Sequence, residues 1–365
     1  MSNVFRIHVL PAQRGDSLWI EYGTESAPSH IIIDGGITTT GGDHLFKRLK
    51  EIAPPFHIEL LVVTHIDLDH IQGVIKFLED LPSGITFGDI WFNGLEQIRS
   101  TGLNPMGIKE GIRLSKILRK NHNSTWNKAA NGNAIALNPN GGTVSHSLDG
   151  GMVVTVLGPT LEQLTLLGEQ WDLVMEEFAA DEEAETESKD PPGLSLEALG
   201  LRAMGGVDIE GLAKSDFVED KAIPNGSSIA LLLEFKGRSA LMLGDAYPSV
   251  IASSIRQLSD NGYFKADVVK VAHHGSRNNT DLTLAGLLSA PAWIFSSNGA
   301  NNTKHPHLES VARVLYGSGG GEEKTLIFNY RTKFNEIWCD KGLMEEFRYR
   351  TVYGDGESSV LLELL

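Results

Sequence analysis

The chain has 365 residues, of which 41% are apolar and 21% are charged, so it can bury a large core. Its formal net charge of −16 excludes a general nucleic-acid coat protein, because a polyanion would be repelled except at a basic patch or at bound cations. The single cysteine, Cys339, excludes an internal disulfide. The sequence has neither a signal-peptide core nor a run of ~18 apolar residues, so we expect a cytoplasmic protein with no membrane partner.

The first quarter of the chain alternates strands with turns. The runs FRIHVLP, SLWIEYG and HIIIDGG predict three strands, and the continuous apolar run IELLVV predicts a fourth, buried strand. Between the third and the fourth, DHLFKRLKEI places Leu45, Leu49 and Ile52 on one face of a predicted helix. A second predicted helix, IQGVIKFLED, follows the fourth strand closely.

Between about residues 92 and 222 the pattern is less regular. GIKEGIRLSKILRKN predicts a helix, and MVVTVLGP predicts a strand that ends at Gly-Pro. The acidic and then proline-rich run at 176–193 predicts a solvated loop, with binding of a protein partner as its alternative role. We therefore expect one domain over residues 1–365, with a variable insertion at about 92–222.

Regular alternation returns after about residue 223. SSIALLLEF and SALMLGDA predict a hairpin, and ADVVKVAHHGS, WIFSSNG, TLIFN and FNEIWCD predict further strands. SVIASSIRQL, LTLAGLLSA and HLESVARVLYG predict the helices between them. Both halves of the chain fit mixed sheets with helices packed outside, an α/β (α+β) class of fold. We expect residues from about 1 to 90 and from about 223 to 345 to supply two sheets.

Ionisable side chains follow predicted strands at four places. These residues are His65, Asp67, Asp69 and His70, then Asp245, then His273 and His274, and finally His305. Each place alone has a simpler structural explanation, such as a helix cap at Asp69, a turn at Asp245 or a surface histidine pair. Four such places in one chain are hard to explain independently. Imidazole and carboxylate suit divalent metal ions, so the combination predicts a metal site at the strand ends.

These motifs resemble the metallo-β-lactamase superfamily, whose fingerprint is HxHxDH after a strand. The stretch THIDLDHIQG is closest to the branch typified by the C-terminal domain of the DNA-uptake competence channel protein and by phosphorylcholine esterases. Further motifs before and after this stretch occur in the same order as in that branch, from about residue 4 to 315. They are QRGDSLWIEYG, IIIDGG, NGSSIALLLEF, MLGDA, VAHHGSRNNT and NNTKHPH. The resemblance implies a four-layer αβ/βα sandwich of two mixed sheets with outer helices.

The resemblance also implies a site for two divalent ions, zinc or manganese, with Asp245 as the bridge between them. One ion would take His65, Asp67 and either His273 or His274. The other would take Asp69, His70 and His305. Asp67 stands where the superfamily has histidine, which makes the site richer in oxygen and admits manganese as well as zinc.

Asp69 and several residues near the ligands have more than one possible role. Asp69 would also orient the attacking water and receive its proton. Asp34 would hold a ligand histidine by its other N–H, or would be a turn residue before two glycines. The flanking residues either contact a phosphate of the substrate or are ordinary loop residues; they are Ser276, Arg277, Asn225 and Lys304.

The resemblance implies a metal-dependent hydrolase that uses a hydroxide bridging two ions, with a phosphodiesterase or nuclease as the first choice. Its substrate would be a small phosphodiester or a nucleic acid strand. One alternative is a hydrolase of a small ester, a lactone or a phosphorylcholine-type substrate. The other is a partner-binding module with a relic metal site, which would contact a protein through the segment at 92–222.

Overall fold

Two mixed β-sheets form the centre of the molecule. The computed structural model describes residues 2–37, 45, 48, 49, 55–99, 109–169, 207–259, 262–300, 304–319 and 321–365. In this part of the chain the strands are β1 (Asn3–Val9), β2 (Leu18–Thr24), β3 (Ala27–Ile33), β4 (Phe56–Val62), β5 (Ile85–Trp91), β6 (Val144–Ser147), β7 (Val153–Gly158), β8 (Ala230–Phe235), β9 (Arg238–Met242), β10 (Phe264–Lys265), β11 (Val268–Lys270), β12 (Leu288–Ser289), β13 (Ala292–Phe295), β14 (Lys324–Phe328), β15 (Tyr349–Tyr353) and β16 (Val360–Glu363).

Helices follow most of the strands. In the described ranges they are α1 (Leu68–Glu79), α2 (Leu95–Arg99), α3 (Lys109–Asn121), α4 (Leu161–Glu169), α5 (Ile209–Ala213), α6 (Ile223–Gly226), α7 (Pro248–Leu258), α8 (Leu282–Leu287), α9 (Leu308–Gly317) and α10 (Lys341–Glu346). Short 3₁₀ turns lie at Lys128–Ala130, Ala272–Gly275 and Glu336–Cys339. None of these helices combines the length and the apolar character that crossing a membrane requires.

Each sheet is antiparallel on one side and parallel on the other. The first sheet has the order β16-β1-β2-β3-β4-β5, and only its β3, β4 and β5 run parallel. The second has the order β15-β14-β13-β11-β9-β8-β7-β6 and is parallel from β15 to β9. Parallel strands bring their carboxyl ends to one edge of a sheet, and the loops at that edge carry the predicted ligands.

Apolar side chains form one cluster between the sheets and one on each outer face. The central cluster takes strand residues from both sheets. On the outer face of the first sheet, Leu61 packs with Val74 of α1, and on that of the second sheet Leu241 packs with Ile251 of α7. The layers therefore run helix, sheet, sheet, helix. This order confirms the predicted αβ/βα sandwich of the metallo-β-lactamase type.

The strand content differs from the sequence prediction at several places, and β5 is a strand that the sequence analysis did not predict. FNEIWCD is not a strand, because Asn335 accepts from Thr332 N and donates to Tyr330 O, each at 2.9 Å, and so closes a turn before the 3₁₀ segment. β7 confirms the strand predicted in MVVTVLGP. With β6 it extends the second sheet beside β8, which was expected only of residues from about 1 to 90 and from about 223 to 345. The strands β15 and β16 lie beyond residue 345, and β16 pairs with β1.

Two predicted segments lie largely or wholly outside the described residues. They are the helix DHLFKRLKEI and the acidic loop at 176–193. Leu45 and Leu49 of the first segment are described, and both are buried against the outer face of the first sheet. Their burial agrees with the apolar face predicted for that helix.

Candidate metal centre

The predicted ligands meet where strands of both sheets end. The loop after β4 and the first turn of α1 carry His65, Asp67, Asp69 and His70, and loops of the second sheet carry Asp245, His273, His274 and His305. Asp67 occupies the N-cap position of α1, but its side chain makes no capping hydrogen bond. A helix-capping role therefore does not account for its carboxylate. His65 Nε2 and Asp245 Oδ2 are 3.9 Å apart, well within the reach of one metal cluster.

Asp245 lies at the centre of the site, with its side chain 3% exposed. The Nε2 atoms of four histidines approach its two carboxylate oxygens. His70 lies 3.4 Å from Oδ1, while His274, His273 and His65 lie 3.6, 3.8 and 3.9 Å from Oδ2. Donor atoms on both sides of one buried carboxylate are the arrangement that a bridging ligand requires.

The two aspartates of the α1 loop lie beside different histidines. Asp67 Oδ2 is 3.5 Å from His65 Nε2, and Asp69 Oδ2 is 3.5 Å from His274 Nε2. His274 Nε2 is also 3.3 Å from His70 Nε2. The structure therefore groups His274 with Asp69 and His70.

His305 belongs to the second sheet's half of the site. Its ring centroid lies 5.1 Å from that of His273 and 6.0 Å from that of His274.

The Nδ1 atoms of the same histidines face away from Asp245 and toward fixed oxygen atoms. His70 Nδ1 lies 2.8 Å from Asp34 Oδ2, the kind of contact expected of Asp34 from the sequence. His273 Nδ1 lies 3.0 Å from Asn279 Oδ1, and His274 Nδ1 lies 3.3 Å from Asp16 Oδ1. An oxygen acceptor at Nδ1 favours a proton there, which leaves the Nε2 lone pair for the centre of the site.

Unusual backbone conformations aim several of these side chains. Asp34 has φ +58°, and its carboxylate accepts from Thr64 N at 2.8 Å and Thr64 Oγ1 at 2.7 Å as well as facing His70. His273 and His274 have φ +47° and +55°, consecutive left-handed residues that direct both rings toward Asp245. Such residues cost roughly 1–3 kcal/mol each and persist where surrounding contacts fix them.

Close backbone packing brings Asp16 to the site. A Cβ on Gly15 would lie 1.7 Å from Asp69 O, so only glycine permits this approach of the loop before β2. Asp16 N donates to the same Asp69 O at 3.3 Å. The loop that precedes β2 is thereby fixed against the start of α1.

The charges of the cluster favour a cation at its centre. Burial alone would lower the pKa of His70 and His274, but Asp245, with Asp34 or Asp16, raises both above the ordinary value. Burial would raise the pKa of Asp245, yet the surrounding imidazoles hold it well below its usual range. Protons or divalent cations can supply the positive charge that these carboxylates attract.

The donor set fits divalent metal ions. Within the described ranges, His65 Nε2, Asp67 Oδ1 and Asp245 Oδ1 are buried and have no hydrogen-bond partner. Donor atoms of Asp16, His70, Asp245 and His274 all lie within 4.8 Å of one another. Buried polar atoms without partners are costly, and metal ions of the kind that imidazole and carboxylate bind would satisfy them.

The four predicted substrate-binding residues have different surroundings. Asn225 is buried and donates to Asp220 Oδ2 at 2.7 Å, so it supports the carboxylate that lies 3.5 Å from His273 Nδ1. Ser276 is fully buried and accepts a hydrogen bond from Asn278 N at 3.2 Å.

The other two residues are more accessible. Arg277 is partly exposed and pairs with Glu309 at 3.3 Å. Lys304 is half-buried directly before His305. Of the four, Arg277 and Lys304 are the two that are not buried.

The sequence analysis did not identify three residues that support the ligands. Asp16 contacts His274, Asp220 contacts His273, and Lys270 pairs with Asp16. Asp16 lies in the motif QRGDSLWIEYG, but nothing there indicated its partner. Lys270 carried the clearer signal, because VVKVA places one ammonium within a strand that is otherwise apolar.

Comparison with known proteins gives partial matches. No family model matches the chain. The chain is 33% identical over 96 residues to ComE operon protein 3 of Bacillus subtilis (strain 168), a match that spans 26% of this chain and 12% of that protein. A solved structure of a CmlA beta-hydroxylase mutant aligns with the whole chain and with 54% of its own length, at 10% identity and a TM-score of 0.40.

Proposed function

We propose that the protein is a metal-dependent hydrolase with two divalent ions at this site, acting on phosphodiesters. The observation that carries the proposal is the buried Asp245 carboxylate, which four histidines approach through Nε2. Asp67 and Asp69 lie beside different histidines around it. A site that only held one structural ion would need four ligands and no shared carboxylate.

The residues divide into two ligand groups that share Asp245. The first group is His65, Asp67 and His273. The second is Asp69, His70 and His274, in which His274 Nε2 lies 3.3 Å from His70 Nε2 and 3.5 Å from Asp69 Oδ2. His305, next to both His273 and His274, is the remaining donor on the second sheet's side.

Two bound divalent ions would acidify a water and neutralise charge on the oxygens of a phosphate. The chain's own residues orient the reactants. His70 and His274 hold the Asp69 carboxylate ionised by keeping its pKa well below the usual range, although burial opposes this. An ionised Asp69, 21% exposed, accepts a hydrogen bond from water and so fixes the direction of attack. Asp34 and Asp16 keep the imidazoles of His70 and His274 in place.

Two features favour a phosphodiester over a neutral ester. Aspartate at position 67 enriches the site in oxygen, which suits hard cations and phosphate oxygens. Arg277 and Lys304 are cationic residues close in sequence to His274 and His305, where an anionic substrate could contact them. The net charge of −16 favours a small phosphodiester or a short strand over a long duplex.

The test offers the metal-loaded protein three substrates: bis-p-nitrophenyl phosphate, single-stranded DNA and a lactone. We expect hydrolysis of a phosphodiester that a chelator abolishes and that Mn²⁺ or Zn²⁺ restores. Cleavage of the lactone with both phosphodiesters untouched would replace the substrate class with that of the small-ester hydrolases. No activity on any of the three, with metal bound, would support the partner-binding alternative.

A further inference from the structure

Lys270 is a buried lysine at the end of β11, in the middle of the second sheet. Its side chain is 1% exposed, and the two strand residues before it, Val268 and Val269, lie in the core. Its Nζ forms an ion pair with Asp16 and donates to Gly244 O at 3.2 Å. A buried ammonium is unfavourable unless it is paired, so its partner indicates the role of the pair.

The Asp16 carboxylate contacts two groups with its two oxygens. Oδ2 pairs with the Lys270 ammonium, and Oδ1 lies 3.3 Å from His274 Nδ1. The opposite nitrogen of that ring, Nε2, lies 3.5 Å from Asp69 and 3.6 Å from Asp245. The Asp16 carboxylate therefore faces the imidazole nitrogen that is turned away from Asp69 and Asp245, although one of its oxygens also lies within 4.8 Å of donor atoms of His70 and Asp245.

We propose that Asp16, paired with Lys270, is a positioning residue for His274 and not itself a metal ligand. Its Oδ1 lies 3.3 Å from His274 Nδ1, and its negative charge favours a proton on that nitrogen, which leaves the Nε2 lone pair for the centre between Asp69, His70 and Asp245. The proposal rests on the metal site of the proposed function but not on its substrate.

The pair also joins the two sheets at the site. Asp16 lies in the loop before β2 of the first sheet, whereas Lys270 and His274 belong to the second. Asp16 N is bonded to Asp69 O, so one residue connects the start of α1 with the loop after β11. Protein contacts therefore help to fix the distance between the ligands of the two sheets.

The decisive variant is Asp16→Asn. The two carboxylate oxygens of Asp16 face different groups, and an amide has only one oxygen to replace them. Either the ammonium loses its oxygen partner, or the amide N–H₂ faces His274 Nδ1 and favours the wrong tautomer. We expect Asp16→Asn to weaken binding of Zn²⁺ or Co²⁺ roughly 10- to 100-fold, measured by competition with a chromogenic chelator.

The double variant Asp16→Asn with Lys270→Met distinguishes positioning from ligation. Without the ammonium, the amide oxygen can accept from His274 Nδ1 alone, so metal affinity should recover most of the loss. If Asp16 were a ligand, Lys270→Met would not restore the metal affinity lost in Asp16→Asn. A double variant that binds metal no more tightly than Asp16→Asn would therefore overturn the proposal. Asp16→Asn that binds metal like the parent would overturn it as well.

Arg238→Met is the matched control, because it also removes a cation paired with an aspartate on the second sheet, at 2.8 Å but exposed. It should leave metal affinity unchanged. The visible spectrum of the Co²⁺-loaded double variant should match that of the parent, since the ligand set is intact.

A measurement on the unaltered protein covers the case in which a variant fails to fold. Nitrogen-15 NMR of the imidazoles should find a proton on His274 Nδ1 with and without added Zn²⁺. A proton on Nε2 alone would overturn the proposal even if the variants cannot be purified. None of these experiments uses a substrate, so failure of phosphodiester hydrolysis would leave the proposal for Asp16 unaffected. A parent protein that binds no metal would refute the proposed function, and the NMR measurement would still decide the role of Asp16.

Discussion

The two sheets contribute to the site in different ways. The first sheet supplies a local group from a single loop and helix start after β4: His65, Asp67, Asp69 and His70. The second sheet supplies residues from loops after three different strands, β9, β11 and β13: Asp245, His273, His274 and His305. One turn sets the geometry of the first group. The geometry of the second depends on the register of three parallel strands.

The residues that support the histidines follow the same division. His70 is held by Asp34, which belongs to the first sheet, as His70 does. His274 is held by Asp16, which belongs to the opposite sheet and depends on Lys270. The support of His274 therefore depends on residues of both sheets, whereas that of His70 comes from its own sheet.

Removing Asp245 disrupts the ligands of both sheets at once and has the largest expected effect. Asp245→Ala should lower metal content from about two ions per chain to well below one, because its carboxylate approaches histidines of both groups. Hydrolysis should fall by at least ~10³-fold. Metal analysis of the purified protein is the measurement, and Asp267→Ala, at an exposed ion pair of the second sheet, is the control. Full occupancy in Asp245→Ala would show that the bridge is misassigned.

Within the local group, Asp67 and Asp69 should differ in role although both are aspartates. Asp69→Asn keeps an oxygen donor but loses the charge that orients water and receives its proton. It should retain most of its metal, while kcat falls ~10²- to 10³-fold. Asp67→Asn is the matched control and should stay within ~10-fold of the parent. Equal losses of kcat in the two variants, with metal retained, would show that Asp69 has no special part in the reaction.

The local group and the contact of Asp34 with His70 were predictable from sequence, whereas the contact of Asp16 with His274 was not. Four ionisable residues in six positions after an apolar strand predict a site without knowledge of the fold. Asp245, His273, His274 and His305 could also be predicted as site residues, because they too follow predicted strands. The contact of His274 with Asp69 and His70 was not, because it follows from two consecutive left-handed residues that the sequence does not specify.

The same limit applies to the fold. Hydrophobic periodicity located most strands of both sheets, since their residues alternate or form short apolar runs. Periodicity was wrong at FNEIWCD, because the apolar residues Ile337 and Trp338 lie in a 3₁₀ turn whose conformation Asn335 determines. The pairing of Asp16 with Lys270 joins distant parts of the chain, so only the assembled sheets reveal it.

Gly15 tests how tightly the two sheets are fixed together at the site. In Gly15→Ala the new Cβ would lie 1.7 Å from Asp69 O, so the loop before β2 must move away from α1. We expect a loss of about 2–3 kcal/mol in the free energy of unfolding and weaker metal binding, because Asp16 moves with the loop. Urea unfolding measures the first effect. Gly319→Ala, with no atom within 4 Å of its Cβ, is the control, and equal stabilities would contradict the predicted clash.

The smallest expected effect concerns His30 of β3, away from the ligands. Burial lowers its pKa to about 4, with Arg48 and His8 acting in the same direction and Glu21 opposing them. The folded state thus keeps His30 neutral while the unfolded chain takes up a proton below pH ~6.5, so stability is lost as pH falls from ~6.5 toward 4. Between pH 7 and 5, His30→Gln should lose about 1 kcal/mol less unfolding free energy than the parent, after allowing for partial exposure. Parallel pH dependences in urea unfolding would refute this.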